Sequence, residues 1–171
     1  MTGILYRDAT PADGPELDAM ARQIWIETFA HGSSAEDAAT YLAKAYGPEG
    51  QLLRDLGAAG IDFRLAVAGG RIVGYAKLNP VWLPDPEPGA LQLSQIYVAS
   101  DWHGKGIAQQ LMAWTADRAR ERGASALLLT VWEHNPRAIA FYRRLGFVHV
   151  GDYDFAVGEQ VDRDLILRLQ L

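Results

Sequence analysis

Apolar positions recur along this chain in two periods, and their alternation lays out its elements. Ile4–Arg7 reads as a short opening strand. Thr10-Pro11-Ala12-Asp13 has the form of a helix start, with a threonine cap, proline at the first helical position and an acid in the first turn. Leu17, Met20, Ala21, Ile24 and Thr28 follow at helical spacing and predict a helix from Pro11 to Phe29. Ser33 or Ser34 can cap a second helix with Tyr41, Leu42 and Ala45 on one face; Gly47-Pro48 breaks it, and a shorter helix covers Pro48 to Leu56. Phe63–Ala68 and Arg71–Asn79 are strand-like, with a hairpin at Gly69-Gly70. Pro80, Pro84, Pro86 and Pro88 make the next stretch an irregular loop.

Leu91–Val98 is the next strand, and a long helix from Gly106 to Arg122 buries Ile107, Ala108, Leu111, Met112 and Ala119. Ala126–Val131 is almost wholly apolar, which implies cover on both faces. Asn135–Leu145 is helical, with Ala138, Phe141, Tyr142 and Leu145 on one stripe, and Phe147–Phe155 and Val161–Leu169 are two final strands. The order β-α-α-(α)-β-β-β-α-β-α-β-β predicts an α/β fold, a mixed sheet covered by helices. No repeat or low-complexity tract interrupts it, so residues 1–171 are expected to form one domain.

Composition narrows the class. The chain is 49% apolar and 22% charged, too hydrophobic for disorder. It has no cysteine, which removes disulfides, thiolate metal sites and a cysteine nucleophile. His31, His134 and His149 lack a metal-ligand spacing, so no metal is expected. No apolar run reaches the roughly 18 residues of a membrane span, and Met1 to Arg7 lacks a signal pattern, so the expected setting is cytoplasmic. The net charge of −5 argues against a nucleic-acid partner. Residues 101–150 nevertheless carry 7 Lys+Arg against 4 Asp+Glu. That basic block is either chance variation on a solvated surface or the mark of a bound anion.

Two stretches can carry chemistry. In Val98-Ala99-Ser100-Asp101-Trp102-His103-Gly104-Lys105-Gly106-Ile107-Ala108 a strand ends, a glycine-bearing turn follows and a helix begins. The unpaired N–H groups of a first helical turn suit a pyrophosphate, and glycines allow close approach; an ordinary tight turn would look the same. A dinucleotide fingerprint fits badly, because Gln109 stands where a third glycine would fall. The second stretch, Asn135 to Phe147, is by itself an amphipathic helix closed by Gly146.

Read together, Leu93-Ser94-Gln95-Ile96-Tyr97-Val98, His103-Gly104-Lys105-Gly106-Ile107-Ala108 and Asn135…Ala138…Phe141-Tyr142…Gly146-Phe147 resemble the GNAT superfamily of N-acetyltransferases. The resemblance runs from about residue 64 to 150. It implies a mostly antiparallel sheet of about six to seven strands, with helices on both faces and central strands splayed to admit acetyl-CoA. It also implies that the turn binds the cofactor pyrophosphate in the pattern Gln/Arg-x-x-Gly-x-Gly/Ala, here His103, Gly106 and Ala108. His103 departs from the usual residue, but the backbone amides of Gly104, Lys105, Gly106, Ile107, Ala108 and Gln109 would still serve. Ile96, Tyr97 and Val98 would pair with the pantetheine arm, Asn135 would contact the cofactor, and Tyr142 would face its sulfur. Ile26–Phe29, Ala39–Leu42, Val131–Asn135 and Phe155–Asp162 are similar, more narrowly, to PaiA-type spermidine/spermine acetyltransferases.

The implied reaction passes an acetyl group directly from the thioester to a primary amine. Tyr142 would be the acid for the departing thiolate. Many family members carry a glutamate on the strand ending at Val98; here its polar positions are Gln92, Ser94 and Gln95. Glu27 and Glu133 are the candidate bases, Glu133 with a structural role as the plainer reading, or a water chain can act instead. Acceptor selection is expected from Glu27, Tyr41, Trp82, Asp85 and Glu87, acids and aromatics suited to a cation. A small polycation such as spermidine or spermine is the leading acceptor. The alternatives are another amine (an amino acid, an aminoglycoside or a protein N-terminus) or a non-catalytic acyl-CoA sensor. The apolar Val81-Trp82-Leu83 and the C-terminal strand edges could support a homodimer or pack within one chain.

Overall fold

The computed structural model describes residues 3–171. In chain order the elements are β1 (Ile4–Asp8), α1 (Gly14–Phe29), α2 (Ala35–Ala45), α3 (Gln51–Asp55), β2 (Asp62–Ala68), β3 (Arg71–Pro80), β4 (Ala90–Val98), α4 (Ile107–Glu121), β5 (Ala126–Trp132), α5 (Pro136–Arg144), β6 (Val148–Val157) and β7 (Gln160–Gln170). Most boundaries lie within two residues of expectation, and two differ for identifiable reasons. The helix expected from Pro11 begins instead as a separate 3₁₀ turn over Pro11–Asp13. Pro15 lacks the N–H that a continuous helix would donate to the Pro11 carbonyl. Asp13 closes that turn by accepting from the Thr10 N–H at 2.7 Å. The short helix expected from Pro48 starts three residues later, because the Gly50 N–H donates to the Gly47 carbonyl at 2.9 Å and residues 47–50 form a turn. Of the two serines offered as caps for α2, Ser34 fills the role: its hydroxyl accepts from the Asp37 N–H at 3.1 Å.

The seven strands form one open sheet in the order β1-β2-β3-β4-β5-β7-β6. Every neighbouring pair is antiparallel except β4–β5. Helices cover both faces. Leu111, Met112 and Ala119 of α4 pack with Leu78, Leu127 and Leu167 on one side. Leu17, Ala21 and Trp25 of α1 and Ala38 of α2 pack with Leu65, Val67 and Tyr75 on the other. This double cover explains the unbroken apolar run of β5.

One irregularity positions the site. The parallel pair β4–β5 holds only from Ala90↔Ala126 to Gln92↔Leu128. Opposite, the β3–β4 register slips between Lys77↔Gln95 and Leu78↔Leu93, which leaves Ser94 as the extra residue of a bulge. Beyond it β4 and β5 diverge, and the backbone of Ile96–Val98 faces a gap instead of a strand. The splay implied by the family resemblance is present.

Candidate active site

The gap opens into a cavity of about 770 Å³ that runs between β4 and β5 from the start of α4 to α1. Its lining is polarised. His103, Arg137 and Arg144 stand on the wall formed by α4 and α5, while Glu27, Asp162 and Asp164 stand on the wall formed by α1 and β7. The basic block of the sequence is thus of two kinds. Arg118 and Arg122 are both bound to Asp62 at 3.0 Å, and Arg120 to Asp117 at 3.2 Å, away from the cavity. Arg137 and Arg144 face it.

At the basic end β4 leads through a 3₁₀ turn, Ser100–Trp102, into α4. Gly104 and Gly106 have φ of 75° and 79°, the left-handed region that a side chain adopts only under strain. Gly106 is the residue immediately before α4, so the N–H groups of Ile107, Ala108 and Gln109 have no partner within the helix. They present the positive end of a fifteen-residue helix to the cavity. His103, Gly104, Gly106, Ile107, Ala108 and Gln109 all line it. Lys105 does not; its Nζ lies over the Trp102 ring at 5.4 Å. His103 Nε2 is 2.8 Å from the Val98 carbonyl oxygen, and Arg137 Nη1 is 2.9 Å from His103 Nδ1.

Ile96, Tyr97, Val98, Asn135 and Tyr142 also reach the cavity. Asn135 caps α5, its Oδ1 accepting from the Ala138 N–H at 3.3 Å. Tyr142, 8% exposed, packs edge-on against Phe147 with ring centroids 5.6 Å apart. Burial pushes its phenol above the ordinary tyrosine value, so it is protonated and able to donate at neutral pH. The polar residues of β4 are otherwise engaged: Gln95 accepts from the Tyr75 hydroxyl at 2.8 Å, and Gln92 from the Trp82 N–H at 3.1 Å.

The expected acceptor pool is only partly assembled. Glu27, Tyr41 and Trp82 line the cavity. Glu27 is exposed and accepts from Gln23 at 2.9 Å. Asp85 and Glu87 are not on the wall. Glu87 instead holds the proline-rich loop to β7 through Arg168 Nε at 2.8 Å. Glu133 is structural: Arg163 binds it at 3.0 Å, and it too lies off the wall. Of the apolar segment 81–83, Leu83 is buried and Trp82 packs on Tyr153 at 5.2 Å, so much of it is used within the chain.

Three lining residues, Trp25, Thr130 and Asp164, carry no signal in the motifs above. Trp25 stacks on Tyr41 at 4.6 Å, Tyr41 meets Phe155 at 5.7 Å, and Trp132 lies edge-on to Phe29 at 6.0 Å. Together these rings wall the acidic end. Asp164 is 7% exposed, sits between Trp132 and Tyr153 in the β5–β7–β6 register, and lines the cavity with Asp162 and Thr130. Burial is the largest influence on its carboxyl and pushes it up to about 7; the Thr130 hydroxyl pulls it partly back, and the charges of Asp162 and Glu133 raise it further. The available signal was the Asp162-Arg163-Asp164 alternation, which places two acids on one face of a strand. Among the described residues there is no group of three or more His, Cys, Asp or Glu able to hold a metal ion, and no helix long and apolar enough to cross a membrane.

Comparison with known proteins gives this geometry a context. Residues 19–147 match the Acetyltransferase (GNAT) family. An uncharacterized N-acetyltransferase of Lactobacillus delbrueckii subsp. lactis is 30% identical over all of this chain and 99% of its own length. Streptothricin acetyltransferase of Streptomyces lavendulae is 31% identical over 85% of this chain and 82% of its own. Among solved structures, the PaiA N-acetyltransferase of Thermoplasma acidophilum in complex with coenzyme A superposes with a TM-score of 0.79 at 21% identity, covering 99% of both chains.

Proposed function

The chain belongs to the GNAT acetyltransferase family and is an acetyl-CoA-dependent N-acetyltransferase, and from that premise we propose that its acceptor is a small polycationic amine such as spermidine or spermine. The observation that carries the proposal is the chamber at the acidic end of the cavity. Trp25, Tyr41, Trp132 and Phe155 line it, Glu27 and Asp162 charge it, and Asp164 is a buried acid in its wall. Acids draw a cation in, and ring faces hold an ammonium that has lost part of its water. Among the described residues that line this end the only cation is Lys77, whose ammonium is taken by Asp55, so an anionic acceptor would lack a partner.

In this reading acetyl-CoA lies with its pyrophosphate against the amides of residues 104–109 and its pantetheine arm along Ile96–Val98. Asn135 orients the arm. The acceptor nitrogen approaches the thioester carbon from the acidic end. A backbone N–H in the splayed segment stabilises the tetrahedral oxyanion. Tyr142 gives a proton or a hydrogen bond to the departing thiolate, and no acetyl-enzyme forms. The need for acetyl-CoA suits a cytoplasmic setting.

The test is thiol release from acetyl-CoA with spermidine, spermine, free amino acids, an aminoglycoside, streptothricin and N-terminal peptides. Selective release with the two polyamines is the expected result. A higher kcat/KM with any other class overturns the polyamine acceptor.

A further inference from the structure

We infer that Asp164 is the group that takes the proton from the acceptor ammonium, an assignment that rests on the acetyltransferase reading above. Four carboxylates compete for the role. Glu27 is exposed and held by Gln23, and Glu133 is off the cavity wall and neutralised by Arg163. Asp162 lines the cavity but accepts from the Gln160 amide at 2.6 Å. Asp164 alone is buried, on the wall and free of any ion pair among the described residues. The strand β4 offers no carboxylate at all.

The groups facing Asp164 explain its poise. On its own strand there is Asp162, and from β5 come Thr130 and the end-of-strand Glu133. The phenols of Tyr97 on β4 and Tyr41 on α2 feel its charge across the cavity, and Tyr153 of β6 is its cross-strand partner. Every charged member of this set is an acid, and none supplies a cation. A carboxyl so placed resists ionisation until an ammonium arrives, and the arriving charge then favours the carboxylate. A group titrating near neutrality is also well matched to proton transfer at cellular pH.

The step balances as follows. The ammonium gives one proton to the Asp164 carboxylate, and the freed lone pair forms the bond to the thioester carbon. As the C–S bond breaks, the thiolate takes the phenol proton of Tyr142. The second proton lost by the nitrogen restores that phenol through solvent, and Asp164 releases its own to bulk water. The products are the amide, coenzyme A as the thiol and one proton.

The test compares pH profiles of kcat/KM for wild type and Asp164→Asn, using the amine that wild type acetylates fastest, with acetyl-CoA binding followed by tryptophan fluorescence. Expected are a wild-type limb that rises through about pH 7 and, in D164N, loss of that limb with a fall of about 100-fold or more at pH 7.5, as for removal of a general base. Acetyl-CoA affinity should stay within about threefold of wild type. A second variant, Thr130→Val, should move the limb to higher pH, since the hydroxyl that favours the ionised carboxylate is gone. The assignment is overturned if D164N stays within threefold of wild type across the pH range, or if its acetyl-CoA affinity falls in step with its rate. Failure of the wild type to release thiol with any amine would instead sink the acetyltransferase reading itself.

Discussion

Arg137 donates to His103: Nη1 lies 2.9 Å from Nδ1, while the other ring nitrogen, Nε2, lies 2.8 Å from the Val98 carbonyl oxygen. A guanidinium can only donate and a carbonyl can only accept, so the contacts assign the Nε2–H tautomer. The ring therefore links β4 to α5 across the mouth of the glycine turn, at the position where the family resemblance implies glutamine or arginine. Arg137 sets a guanidinium beside the ring from a different element. Arg137→Ala is expected to raise the Kd for acetyl-CoA about tenfold, the scale of one lost charge-assisted hydrogen bond. Isothermal titration at low and high salt checks this; an unchanged Kd at both would place Arg137 outside the cofactor site.

Tyr142→Phe keeps the buried ring and its contact with Phe147 but removes the donor. The kcat should fall about 10- to 100-fold, with acetyl-CoA affinity nearly unchanged, in line with loss of general-acid assistance. Stopped-flow thiol release at saturating acceptor is the measurement. A kcat equal to wild type would remove the phenol from the mechanism.

Glu27 and Asp164 divide the acidic end between exposure and burial. Glu27→Gln is expected to raise KM for spermidine about two- to fivefold at low salt, with the difference erased near 0.5 M salt, because exposed charges are screened within a few ångströms there. If kcat falls tenfold instead and salt makes no difference, Glu27 takes the proton and Asp164 does not.

Burial of Asp164 also has a cost in stability with a definite sign. The unfolded carboxyl titrates near its ordinary value of about 3.9 and the folded one at about 7. Between these the unfolded chain releases a proton that the folded chain keeps, so stability falls as pH rises from about 4 and the full cost is present above 7. A shift of this size corresponds to about 2–4 kcal/mol. Asp164→Asn removes the titration. The variant should therefore melt roughly 5–10 °C above wild type at pH 8 and no higher than wild type near pH 4. Calorimetry of the two proteins without cofactor tests this. An equal or lower melting temperature at pH 8 would mean that the carboxylate is better solvated than its 7% exposure implies.

The periodic signals along the chain determined nearly every element, because helix and strand spacing, caps and glycine turns are local properties of neighbouring residues. The same locality made the glycine turn before α4 legible: a strand end, two glycines at positive φ and a helix start lie within eleven residues, Val98 to Ala108. What only the tertiary structure decided was which distant residues share a wall. β7 is the last strand in the chain yet inserts between β5 and β6, which sets Asp164 beside Thr130 and across from Tyr41 and Tyr97. The same pairing turns Glu133 toward Arg163, and the loop carrying Glu87 folds back onto Arg168. Strand order and burial come from global packing, and no spacing in the sequence encodes them. The place of a carboxylate in the sequence therefore says little about what it can do. Its chemistry depends on the water it has lost and the charges it faces.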